Sequence, residues 1–158
     1  MFRVLALAIL IGAPAAAQDT DVGFGAGGHD RSAPVEVAAD NLTLNPDNGQ
    51  AVLTGNVIIA QDDMRLSALK VVVDYSENAA GDREIDRITA EGDVIPVAGD
   101  DAAEGQRAVY RPGSAQIEMS GDVVVTQGGT TLAGDRMSVN LDSGAGRVTG
   151  RVRTTLQP

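Results

Sequence analysis

One short step recurs four times along this chain: Thr54-Gly55-Asn56-Val57, Glu91-Gly92-Asp93-Val94, Ser120-Gly121-Asp122-Val123 and Thr149-Gly150-Arg151-Val152. The glycines fall 37, 29 and 29 residues apart, a period that suits stacked β units and is too long for a heptad or a collagen triplet. The match runs on beyond the step. A shift of 29 residues sets Gly105 on Gly134, Arg107 on Arg136 and Met119 on Val148, and a shift of 66 sets Val57-Ile58-Ile59 on Val123-Val124-Val125 and Leu66 on Leu132. The longer first interval contains residues 76–83, a polar insertion of turn-forming residues that a repeat architecture accommodates in a loop.

Between these steps the hydrophobic period is two. Met137, Val139 and Leu141 alternate with Arg136, Ser138 and Asn140; Ile117 and Met119 alternate with Gln116, Glu118 and Ser120. Val148, Val152 and Leu156 share one face, while Arg147, Arg151 and Arg153 take the other. Such alternation marks strands with one dry and one wet surface. Asn45-Pro46-Asp47-Asn48-Gly49, Gly99-Asp100-Asp101, Arg111-Pro112-Gly113, Gly128-Gly129 and Asp142-Ser143-Gly144 are turn signals, so strands of about five to eight residues should pair as antiparallel hairpins. Val57-Ile58-Ile59, Val71-Val72-Val73 and Val123-Val124-Val125 put apolar groups on both faces and read as central strands covered on both sides, or as strands with one face turned to a ligand or partner. Ile85 and Ile88 break the alternation, which leaves the inward parity of that segment open.

Residues 1–17 read as a cleavable secretory signal: Arg3 supplies the positive charge, residues 4–11 the apolar stretch, and Ala15-Ala16-Ala17 the small-residue cleavage site. The apolar run of about ten residues is shorter than the roughly 20 that cross a bilayer. Residues 18–33, with Gly23, Gly25, Gly27, Gly28 and three aspartates, read as a flexible tether, and residues 34–158 as one domain. The chain has no cysteine, so an exported fold must rest on packing and sheet hydrogen bonds alone. Its formal net charge of −10 argues against nucleic acid as a partner, since phosphate neutralisation dominates that binding.

Catalytic chemistry finds little to stand on. The only imidazole, His29, lies in the tether, there is no cysteine, and no GxSxG elbow occurs. The pairs Asp62-Asp63 and Asp100-Asp101 sit in turns. Gly23 to Gly28 formally fits GxGxxG, but no strand precedes it and no helix follows. No enzyme activity, metal or cofactor is expected. Outside the leader and tether Tyr75 and Tyr110 are the only aromatic residues, so the dry surface is almost wholly aliphatic. Such a surface can be an ordinary filled core or the lining of a cavity for hydrocarbon chains.

An export leader, then Val37-Ala38-Ala39-Asp40-Asn41-Leu42-Thr43-Leu44, then Gly49-Gln50-Ala51-Val52-Leu53-Thr54-Gly55-Asn56-Val57, and later Leu132-Ala133-Gly134-Asp135-Arg136, resemble the LptA/OstA-like family of periplasmic lipopolysaccharide transport proteins. The resemblance covers about residues 34–156. It implies an all-β fold, an open and slightly twisted antiparallel β-jellyroll with a hydrophobic interior. It also implies lipopolysaccharide as cargo, head-to-tail stacking with copies of itself, and docking on an inner-membrane-anchored OstA-like partner and an outer-membrane translocon.

On that fold the groove would be lined by Leu42, Leu44, Val57, Ile59, Val71, Val73, Tyr110, Ile117, Met119, Val123, Val125, Met137, Val139, Leu141, Val148 and Val152. An open jellyroll leaves unpaired backbone at its first and last strands, here expected at Val35, Val37, Leu42 and Leu44 and at Val148, Val152 and Leu156. Arg147, Arg151 and Arg153 on the last strand either keep an exposed edge soluble or are candidate contacts for lipid phosphates or an acidic neighbour. The alternative is a structural or adhesive exported β-solenoid with a filled interior and no lipid cargo.

Overall fold

The repeated step is a corner. In the computed structural model, which describes residues 20–25, 30 and 32–157, each of the four glycines has a left-handed backbone, with φ of 78° at Gly55, 78° at Gly92, 86° at Gly121 and 79° at Gly150. The residue after each is left-handed too: Asn56 at 47°, Asp93 at 47°, Asp122 at 48° and Arg151 at 46°. Two consecutive left-handed residues insert an extra residue against the partner strand and bend the sheet sharply. The next residue then re-enters the core, and Val57, Val94 and Val123 are fully buried. Glycine suits the first position; the short polar Asn and Asp tolerate the second.

Among the described residues eleven strands result: β1 (Thr20–Gly23), β2 (Glu36–Ala38), β3 (Asn41–Asn45), β4 (Gln50–Gln61), β5 (Met64–Glu77), β6 (Arg83–Ala98), β7 (Asp101–Arg111), β8 (Gln116–Gln127), β9 (Thr130–Asn140), β10 (Ala145–Thr149) and β11 (Arg153–Leu156). All pairings are antiparallel, in the order β1-β10-β9-β8-β7-β6-β5-β4-β2, with β3 also on β4 and β11 also on β9. The long strands pass through the corner, so the half-strands on either side of it are what the turn spacing measures. At the two ends the halves are separate strands, β2 and β3 on one side, β10 and β11 on the other.

The corners line up and divide the sheet into two leaves. One leaf holds β1, β3, β10 and the adjoining halves of β4 to β9; the other holds β2, β11 and the remaining halves. Register makes the dry face continuous. One cross-strand row runs Leu42, Leu53, Val71, Ala90, Ala108, Met119, Met137, Val148. A second runs Leu44, Ala51, Val73, Ile88, Tyr110, Ile117, Val139. Apart from Leu42 and Leu44 all of these are buried, and burying each larger aliphatic side chain stabilises the fold by about 1.5–3 kcal/mol.

Several expectations need correction. The stretch read as a tether supplies β1, and Phe24 is fully buried within the core cluster; four cross-strand pairs with β10 and the burial of one aromatic ring outweigh its glycine content. The remainder of residues 18–33, including His29, and the leader at 1–17 fall largely outside the described residues. The last strand is not one strand: the left-handed Gly150 and Arg151 split it into β10 and β11 on different leaves. Val148 is fully buried and β10 is covered by β1, so among the described residues the bare backbone edges at that end are β11 and the outer side of β1.

The apolar triplets are not covered on both sides. Ile58 is 42% exposed and Val72 and Val124 are half-buried, because among the described residues no second layer packs on the outer face. Ile85 and Ile88 both point inward because the β5–β6 register shifts between Asp74 and Tyr75. Among the described residues no helix is long and apolar enough to cross a membrane.

Candidate functional site

The residues expected to line a groove lie between the two leaves, where most of the space is filled. Val57, Ile59, Val71, Val73, Tyr110, Ile117, Met119, Val123, Val125, Met137, Val139, Leu141 and Val148 are buried, with Val152 packed against them. Through the centre the two leaves interdigitate as an ordinary core. Open space remains at one end. A half-open cavity of about 400 Å³ lies between Ile59, Met64 and Leu66 of one leaf and Ile85, Ile88 and Tyr110 of the other. Val35, Gln61, Glu84, Pro112 and Gly113 form its rim. That volume falls within the roughly 300–1,000 Å³ of ligand pockets.

Local sequence explains why space is left there. The insertion that lengthens the first repeat extends β5 and β6 to Glu77 and Arg83, carrying Ile85 beyond the facing leaf. Asn78 organises the turn by accepting from Ala80 and Asp82 backbone N–H groups, both at 2.9 Å, while its amide donates to Glu84 at 2.7 Å. On the facing leaf β4 and β5 end at Gln61 and Met64. Of the residues expected to line a groove, Ile59 and Tyr110 meet here. Met64, Leu66, Ile85 and Ile88 were missed, although Met64 and Leu66 alternate with Arg65 and Ser67 and a shift of 66 pairs Leu66 with Leu132.

Next to the cavity the sheet ends in bare apolar positions. Leu42 is 59% and Leu44 70% exposed, and Val35 and Val37 are exposed too. Leu42 and Leu44 face inward by register, opposite Leu53 and Ala51; they are exposed because β3 has no neighbour on its other side among the described residues. At the opposite end Leu156, 72% exposed, pairs with Thr130 beside Leu132. The dry face thus emerges at both ends of the sheet.

The three arginines do not form one row. Arg151 sits at a corner and donates to both carboxylate oxygens of Asp135, at 2.5 Å from Nη2 to Oδ1 and 3.3 Å from Nε to Oδ2. The carboxyl of Asp135 is held below its usual range chiefly by that hydrogen bond, and the Arg151 guanidinium is raised by the same bond. Arg147 lies on the other leaf, 3.7 Å from Asp21, at a surface hollow of about 360 Å³ shared with Arg107 and Arg136. Arg153 is exposed on β11. Among the described residues no cluster of acidic, histidine or cysteine side chains is arranged to hold a metal ion.

Comparison with known proteins agrees with this architecture. The chain is similar to LptH of Pseudomonas aeruginosa, described as the LptA-homologous periplasmic component of the lipopolysaccharide transport device, with a TM-score of 0.73 and 20% identity over 82% of this chain and 99% of that one. An uncharacterized protein of Rhizobium meliloti (strain 1021) is 27% identical over 133 residues, 79% of this chain and 72% of the relative. Residues 36–145, from β2 to the start of β10 and so including three of the four corners, match the family model described as LptA/(LptD N-terminal domain) LPS transport protein, and the chain belongs to that family.

Proposed function

We propose that this protein is a periplasmic lipopolysaccharide-binding bridge component that shelters acyl chains between its two leaves and passes them along copies stacked head to tail. Shielding one CH₂ from water is worth about 0.8 kcal/mol, so an acyl chain of about a dozen carbons costs on the order of 10 kcal/mol to expose. A continuous aliphatic route removes that cost. The observation that carries the reading is the half-open cavity at Ile59, Leu66, Ile88 and Tyr110, with Val35 on its rim, in a sheet whose inward leucines Leu42 and Leu44 stand uncovered at the β3 edge. Lipid held there would meet apolar surface that continues past the end of the sheet.

Head-to-tail growth fits the two unlike ends. One presents β2 and β3, the other β10 and β11, and pairing unlike edges gives a line of protomers rather than a closed dimer. The inner-membrane-anchored partner and the outer-membrane translocon would take the same two ends. Arg147 and Arg153, with Arg107 and Arg136 near the first, are the proposed contacts for phosphate groups; Arg151 is already engaged by Asp135.

The test is a pair of photo-crosslinking side chains in intact cells, one replacing Leu66, which faces the cavity, and one replacing the adjacent Ser67, which faces out. Lipopolysaccharide adducts at Leu66 and none at Ser67 are expected. Equal labelling, or none at either, would refute the lipid route and favour the filled solenoid.

A further inference from the structure

The end of the sheet opposite the cavity is occupied by the chain's own N-terminal segment. β1 pairs with β10 through Thr20–Val148, Asp21–Arg147, Val22–Gly146 and Gly23–Ala145. The Phe24 N–H then donates to the Gly144 carbonyl at 2.8 Å, and its ring is fully buried in the core cluster. Gly25 crosses to the facing leaf, where its N–H donates to Asp101 at 2.9 Å. A Cβ on Gly25 would lie 3.1 Å from the Ala98 Cβ, and its φ is +63°. The Gln127 side-chain amide donates to the Gly23 carbonyl. Six residues therefore fill one backbone edge and span the gap between both leaves.

We infer that Thr20 to Gly25 is a displaceable plug: it holds, in cis, the β10 edge and the groove end that a strand of a second copy of this chain would take in trans. This rests on the head-to-tail reading above and names what regulates it. The edge in question belongs to the leaf that carries β3, whose bare side is the complementary edge of the next protomer. Among the described residues the other leaf has no such cover, since β11 has a strand on one side only. The plug is suited to exchange. Its ladder is four pairs long, its ion pair of Asp21 with Arg147 is 3.7 Å and largely exposed, and short marginal strands open first. An incoming β3 has five residues, with Leu42 and Leu44 at the inward positions, where β1 brings Thr20 opposite Val148. Once displaced, β1 also withdraws Phe24 from between the leaves. Docking would thereby open the route at the junction it creates, and an undocked protomer would keep that end shut.

The test uses the chain from Gln18 onward and exploits its lack of cysteine. Asp21→Cys with Arg147→Cys, at directly paired outer-face positions, locks the plug when oxidised and frees it when reduced. Self-association is read by sedimentation across a concentration series, beside wild type and Phe24→Ala. The oxidised lock should stay monomeric where its reduced form assembles, and Phe24→Ala should assemble at concentrations lower by about tenfold or more, as expected when a competing state is weakened. Equal assembly of oxidised and reduced protein overturns the plug while leaving head-to-tail stacking intact. Absence of assembly in every form, Phe24→Ala and reduced lock included, overturns both.

Discussion

The carboxylate of Asp135 lies directly over the α-carbon of Gly150. A Cβ built on that glycine would fall 2.5 Å from Asp135 Oδ2 and 2.7 Å from its Cβ. The same relationship recurs at every corner, with Asp40 over Gly55, Leu69 over Gly92 and Gln106 over Gly121. At each corner one residue of the neighbouring stretch of chain is thus laid across the glycine. In the two outer corners the residue after the glycine returns a hydrogen bond to that cover, Asn56 to Asp40 at 2.9 Å and Arg151 to Asp135.

Gly121→Ala and Gly150→Ala should therefore be among the most damaging small substitutions in the chain. Each puts a side chain into left-handed backbone, φ 86° and 79°, and each collides with a cover side chain close to its own backbone. Strain and overpacking together predict a loss of about 2–5 kcal/mol. Gly128→Ala is the control: its φ is +54° but a Cβ there meets nothing within 4 Å, so only the conformational cost of about 1–2 kcal/mol applies. Urea unfolding of the three variants should reproduce that order.

The Asp135–Arg151 clasp makes a pH prediction whose sign is fixed. The hydrogen bond from Arg151, foremost, holds the Asp135 carboxyl below the ordinary value of 3.8. A carboxyl depressed in the folded state contributes stability above its unfolded pKa and loses it as pH falls through the folded value. The contribution is present at neutral pH and vanishes only in strong acid. By NMR titration Asp135 should protonate at lower pH than exposed carboxyls elsewhere, and Arg151→Gln should return it to the ordinary range. An unchanged midpoint in that variant would show that the pair does not persist in solution.

Much of this architecture is legible in the primary structure because each repeat carries its own local instruction. Gly-polar-Val fixes a corner through backbone conformation, and period-two alternation fixes which side is dry; neither needs distant information. The inward set from Val57 to Val148 follows from those two rules. What escaped notice depends on long-range meeting. Phe24 sits among glycines that locally suggest a tether, and its place in the core goes with the hydrogen bond of its N–H to Gly144 and the seat of Gly25 beside Ala98, both more than seventy residues away. The cavity escaped for a similar reason: it is left by leaves of unequal reach, a property of paired hairpins rather than of any one strand. Arg151 misled because strand parity was carried through a corner at which parity is lost.

Leu44→Asp should separate assembly from folding. The side chain is 70% exposed, and surface changes of this kind usually alter stability by no more than about 0.5 kcal/mol. In a stacked pair, however, it would bring an unpaired carboxylate into an apolar junction. Self-association should weaken by about tenfold or more, roughly 1.4 kcal/mol, with the unfolding midpoint nearly unchanged. A variant that assembles like wild type would exclude the β3 edge from the junction.

Filling the cavity should block lipid entry without dismantling the sheet. Ile88 lines the open space and is itself 6% exposed, so Ile88→Trp extends an aromatic ring toward Leu66 and Ile59 where there is room to receive it. Overpacking in a closed core typically costs about 1–3 kcal/mol, and a site bordering about 400 Å³ of open space should sit at the low end of that range. Ile58→Trp, on the wet face of the facing leaf, supplies a ring of equal size in the wrong place. With the crosslinker at Leu66, lipid adducts should fall by about tenfold in the Ile88 variant and hold in the Ile58 variant, a difference in bound population that about 1.4 kcal/mol accounts for. If both retain full labelling while folded, the acyl chains travel by a path other than the space between Ile88 and Leu66.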